Sequence, residues 1–95
     1  MITIHKFQFT PSTRVQIQMP AGARILDIQT QGRDSVLWAM IDTSAPMVYR
    51  RLATYTTGER VDYPAADCLG TYQVSNRISG ALVYHVFDLG EVPCE

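Results

Sequence analysis

The chain has 95 residues, 46% hydrophobic and 18% charged, with a formal net charge of −1. That length supplies one hydrophobic core and not two. A near-neutral chain without a Lys/Arg-rich tract excludes a general nucleic-acid binder, whose affinity comes from many cationic contacts to phosphate.

Residues 2–9 alternate, with Thr3, His5, Phe7 and Phe9 on one side and Ile2, Ile4, Lys6 and Gln8 on the other, which predicts a first strand with a mixed outer face. The segment does not read as a signal peptide, since no basic start precedes a long apolar stretch. No apolar run approaches the ~20 residues that span a bilayer, so no membrane association is expected. Thr10-Pro11-Ser12 reads as a turn. From Thr13 to Met19 the residues Val15, Ile17 and Met19 alternate with Arg14, Gln16 and Gln18, a half-exposed strand. Pro20-Ala21-Gly22-Ala23 makes a tight reversal into residues 24–30, where Leu26, Ile28 and Thr30 oppose Ile25, Asp27 and Gln29. A hairpin loop at 31–34 leads to Ser35–Ile41, which holds the only Trp, Trp38. These four strands predict an antiparallel meander.

Residues 42–46 break the pattern, and a strand resumes over 47–57. Neighbours in a strand face opposite ways, so Arg50 and Arg51 share a surface only if a bulge intervenes. Thr57-Gly58-Glu59 is a turn, 60–67 a loop with one helical turn, and 68–74 another strand. Residues 75–78 connect to a last strand over 79–89, with Gly90 and Pro93 ending the order. The runs 35–41 and 79–89 are apolar, aromatic or β-branched almost throughout, the composition of strands packed on both faces, and are expected as neighbouring central strands. The sum is an all-β fold, one domain over residues 1–95, built as a small antiparallel sandwich or barrel of about seven strands. Its low charge leaves room for an apolar patch, which predicts a homo-oligomer.

His85 shares a face with Ala81, Val83, Phe87 and Leu89 that reads as a core face, which predicts a neutral His satisfied by one or two hydrogen bonds. No Ser, Cys or Asp stands in a nucleophile context, and there is no glycine-rich phosphate loop. Cys68, Cys94, His5 and His85 lack zinc-site spacing. No catalytic residue, metal or cofactor is expected, and the two cysteines are expected reduced in a cytoplasm. The best ligand constellation is Arg50 and Arg51, whose guanidinium forks suit phosphate or carboxylate. Thr57 and the Gly58 turn would add donors, and Trp38 or Tyr55 would stack on a base. The competing reading of the arginines is a cross-strand ion pair or a solvated edge.

Ile4-His5-Lys6-Phe7, the run from Met19 to Leu26, Leu37-Trp38-Ala39, Arg50-Arg51, Leu69-Gly70-Thr71-Tyr72-Gln73 and the run from Gly80 to Phe87 together resemble a family of short uncharacterised proteins of tailed phages and prophages. Relatives carry Gly-Thr-Gly-His-Pro where this chain has Thr56-Thr57-Gly58-Glu59-Arg60, a departure that removes a His and a Pro from the turn after the arginines. The resemblance implies a phage origin and an accessory role. Small phage β proteins of this kind include sponges that withhold nucleotide signals from bacterial immune effectors. By that analogy of size and origin, the expected function is sequestration of a small nucleotide-type host immune signal, in the host cytoplasm and in a cleft between protomers. A cleft between chains spares a small core from hosting the pocket. The alternative is a protein–protein interaction module that inhibits a host protein or serves the virion. On the sequestration reading, truncating Arg50 or Arg51 abolishes binding and leaves the melting temperature nearly unchanged.

Overall fold

The computed structural model describes residues 1–76 and 80–94. Its seven strands are β1 (Ile2–Phe9), β2 (Val15–Pro20), β3 (Arg24–Gln31), β4 (Asp34–Asp42), β5 (Met47–Thr56), β6 (Asp67–Asn76) and β7 (Gly80–Pro93). They pair antiparallel in two sheets, ordered β1-β4-β3 and β2-β5-β7-β6, that pack as a sandwich. All seven expected strands are present. The connection read at residues 75–78 and the start of the last strand at residue 79 lie partly outside the described residues. Among the described residues no helix is long and apolar enough to cross a membrane.

The order of the strands differs from a meander. β2 leaves the first sheet and pairs with β5 in the second, so β1 meets β4 directly. Residues 10–14 carry the chain across, held where Thr54 N donates to Ser12 O at 3.2 Å. An inward row of Val15, Ile17 and Met19 serves either sheet equally, so alternation alone does not choose between them. For the same reason the two most apolar strands, β4 and β7, are not neighbours: each lies inside a different sheet. Residues 60–66 form turns and bends with no helical turn.

Three bulges reset the faces. Ile25 pairs with Ala39 and Asp27 with Trp38, which leaves Leu26 as the extra residue. Ile25 and Ile28 therefore both reach the core, while Leu26 turns outward, against the simple alternation of 24–30. In β7, Arg51 pairs with Gly90 and Leu52 with Asp88, so Leu89 is extra. Gly90 has φ +89°, open to glycine at no steric cost, and the strand runs on to Pro93 instead of stopping there. The third bulge, at Leu69, lies on β6 opposite β7.

Met19, Leu37, Leu52 and Val86 are fully buried between the sheets, each contributing about 1.5–3 kcal/mol of transfer free energy. A buried polar bond crosses this core: the Tyr72 hydroxyl donates to Ser35 Oγ at 2.9 Å. Burial pushes the Tyr72 phenol above its usual range, opposed in part by the Ser35 bond. The unfolded chain therefore ionises Tyr72 first, and its contribution is whole below about pH 10 and lost above it. Tyr72→Phe should cost about 1 kcal/mol, or about 4–8 °C in Tm, and should flatten the fall of Tm above pH 10. Thermal denaturation of both proteins between pH 7 and 11 checks both effects.

Candidate ligand-binding site

Arg50 and Arg51 are adjacent on β5, and the bulge that interrupts their ladder lies on β7, so they point to opposite faces as a regular strand requires. Arg50 faces inward. Its Nε and Nη2 donate to Asp88 Oδ1 and Oδ2 at 3.0 and 2.6 Å, a bidentate pair whose side chains are only 13% and 17% exposed. Its Nη1 donates to the Ala23 carbonyl at 2.7 Å and lies 3.5 Å from Glu91 Oε1. Glu91 Oε1 also accepts from Gly22 N at 2.7 Å. Arg50, Asp88 and Glu91 thus clamp the crossover turn at Gly22–Ala23 to the second sheet. Hydrogen bonding from Arg50 holds the Asp88 carboxyl below the usual carboxylate range, against the effect of burial. The cross-strand ion pair is the reading that fits Arg50, because all three of its guanidinium nitrogens are engaged.

The other predicted residues are not brought to one place. Trp38 lies on the outer face of the first sheet, across the sandwich from β5. Tyr55 is 2% exposed; its ring meets Phe87 edge-on at 5.8 Å, and its hydroxyl accepts from Asp62 N at 3.3 Å. Ala53 and Tyr55 are buried outside the main core, because the loop at 57–66 folds back over the outer face of the second sheet. Thr57 Oγ1 is bonded to His85 Nε2 at 2.8 Å, and Thr71 Oγ1 to His85 Nδ1 at 2.9 Å. His85 is half-buried under this loop and not in the core, since Tyr84 and Val86 take the inward positions of β7. Both its ring nitrogens are occupied, as a satisfied histidine requires.

The Gly58 turn is closed against anions. Glu59 Oε1 accepts from Thr56 N and Thr56 Oγ1, both at 2.8 Å, and these bonds lower the Glu59 pKa. Glu59 N donates back to Thr56 O, and Thr57 N to Val83 O. A carboxylate thus stands where the turn would have to receive a phosphate.

Of the predicted set, Arg51 lines a cleft among the described residues. The cleft has a volume of about 370 Å³ and is bounded by Arg14, Val15, Gln16, Arg51, Leu52, Tyr63 and Leu89. It lies where the loop meets β2 and β5, so it takes no volume from the core and needs one chain only. Arg51 Nη2 donates to the Leu89 carbonyl at 2.8 Å, while its buried Nε has no acceptor. The Arg14 guanidinium stands over the Tyr63 ring, 5.4 Å from its centroid, a contact of about 0.5–1 kcal/mol at an exposed site. No carboxylate lines the cleft, and among the described residues neither Arg14 nor Arg51 forms an ion pair. Two guanidiniums beside an aromatic ring can hold an anion attached to a flat group. Among the described residues no three His, Cys, Asp or Glu side chains converge as metal ligands.

Arg14 and Tyr63 are absent from the site expected on sequence. Arg14 carried a signal, as an outward residue of a clean alternation. Tyr63 carried none, because its place depends on how the loop returns over the sheet.

No curated protein matches the chain, and no solved structure does. One family model matches residues 1–93, nearly the whole sandwich. On that match the chain belongs to DUF7352, a domain of unknown function.

Proposed function

We propose that this chain is a small non-enzymatic binding protein of phage origin that takes a nucleotide-type ligand into the Arg14–Arg51–Tyr63 cleft and withholds it from host effectors. The observation that carries the reading is a cleft lined by two guanidiniums and no carboxylate. Guanidinium groups bind phosphate oxygens through short, charge-assisted hydrogen bonds, and Arg14 and Arg51 both line the cleft. Tyr63 supplies a ring surface on which a base can stack. The volume suits a small ligand, since such sites run from roughly 300 to 1,000 Å³. Phage origin and the sequestering role are supported by the likeness of the sequence fragments and by analogy of size.

A thermal-shift screen against mononucleotides, cyclic dinucleotides and cyclic or linear ADP-ribose derivatives tests this reading. A ligand at a hundred times its Kd stabilises by about 2.7 kcal/mol, which raises Tm by about 10 °C or more in a domain of this size. A shift confined to one class supports sequestration and identifies the signal. Flat melting curves across the panel favour the interaction-module reading, for which the exposed Ile4 and Leu26 of the first sheet speak.

A further inference from the structure

The outer face of the first sheet is apolar where a solvated face would be polar. Ile4 is 56% and Leu26 43% exposed, and Trp38 and Met40 lie between them on β4. The bulge at Leu26 places Leu26 and Asp27 side by side on this face.

The charges of the face are arranged in register with this apolar strip. Lys6 on β1 pairs with Trp38 on β4, and Trp38 pairs with Asp27 on β3. One row of positions therefore runs from Lys6 on one edge strand, through Trp38, to Asp27 on the other. The next row is Ile4, Met40 and Arg24. The Lys6 side chain crosses the face to Gln31 Oε1 on β3 at 2.7 Å, an exposed bond that it would exchange for the carboxylate of a second copy. Asp27 is fixed by Ile28 N and Gln29 Nε2 at 2.8 and 2.6 Å.

We infer that this face binds a second copy of the chain, face to face, about a two-fold axis that runs parallel to β4. Such an axis lays β1 of one copy over β3 of the other. Lys6 then meets the second copy's Asp27, the reciprocal contact forms on the other side, and the two Trp38 rings meet at the axis. Turning the axis to run across the strands would put Lys6 on Lys6 and Asp27 on Asp27, which like-charge repulsion disfavours. The Lys6–Asp27 pair is complementary in one of these two orientations only, and an isologous interface forms each such contact twice. Sheets packed this way sit about 10 Å apart with strands within about 30° of alignment, a spacing that an extended lysine spans. The clefts stay open on the second sheets, so the dimer neither requires nor blocks ligand binding there.

Charge exchange between two variants tests the arrangement, read by sedimentation equilibrium over graded concentrations. The parent should be dimeric. Lys6→Glu alone sets two like-charged contacts in every homodimer, and so does Asp27→Lys alone, and each should weaken self-association at least tenfold. In a 1:1 mixture of the two variants both contacts again join opposite charges, and the dimer should return. Trp38 gives a second readout, because its emission should shift to the red as the parent is diluted and not in the single variants. Circular dichroism shows that each variant is folded. Where Asp27→Lys fails to fold, Lys6→Ala and Ile4→Asp test the same face by weakening the parent dimer. A parent that is monomeric at every concentration, single variants that associate like the parent, or a mixture of folded variants that stays monomeric would each overturn the proposal.

Discussion

Arg50→Ala should lower the melting temperature by about 12–24 °C. Removing one partner of a buried, bidentate pair leaves the other charge without compensation, at about 3 kcal/mol for a pair this well enclosed, and one kcal/mol is worth about 4–8 °C in a domain of this length. Among the described residues Asp88 would keep the Gly90 amide as its partner, and the Ala23 carbonyl would lose the guanidinium bond that ties the crossover turn to the second sheet. This reverses the expectation that either arginine can be truncated without cost to stability. The acid dependence follows from the same pair. Its folded carboxyl titrates below the unfolded value of about 3.9. The stabilisation is therefore whole above about pH 4 and is lost as the pH falls through the folded value. Melting curves between pH 2 and 7 should show a steep acid limb in the parent and a shallower one in Arg50→Ala. A variant that melts with the parent at pH 7 would show that the pair contributes nothing.

Arg51→Gln should do the opposite, reducing affinity for the nucleotide that shifts the parent by about 30-fold while Tm moves by only a few degrees. A charge-assisted hydrogen bond is worth about 1.5–3 kcal/mol, and 1.4 kcal/mol is a tenfold change in Kd. Stability is nearly kept because the bond from Arg51 Nη2 to Leu89 O is lost together with a buried Nε that has no acceptor, and the two changes offset. Arg51→Lys should fall between, since an ammonium keeps the charge and loses the planar fork. Titration calorimetry on the parent, Arg51→Gln, Arg51→Lys and Arg50→Ala, the last at a temperature where it is folded, makes the comparison. Arg50→Ala should bind like the parent, so that two neighbouring arginines separate stability from binding. If Arg51→Gln binds with undiminished affinity, the ligand does not sit in this cleft.

The divergent roles of these neighbours follow from one local rule that the sequence already carries. A strand alternates, so Arg50 and Arg51 face apart, and that much needed no structure. Which of them faced the core did need it, because the answer depends on Asp88, thirty-eight positions away and two ladder steps past a bulge. The site was legible only in part for the same reason. Arg51 was visible as a cation on a strand, but Trp38 was placed beside it on chemistry alone and lies on the other sheet. Tyr63 came to the cleft through a loop whose return path leaves no periodic trace.

The sequence by itself determined that the protein is all-β, that it has seven strands, and where nearly all of them begin and end, because alternation, turn residues and β-branched runs act over a few neighbours. Even the inward row of β2 was fixed locally. Only the tertiary structure decided which sheet each strand joined, where the bulges at Leu26, Leu69 and Leu89 shifted the register, and which arginine was left free to meet a ligand. Those choices are made by contacts between residues distant in the chain. An alternating strand satisfies the core of either sheet equally well, so its own pattern leaves them open.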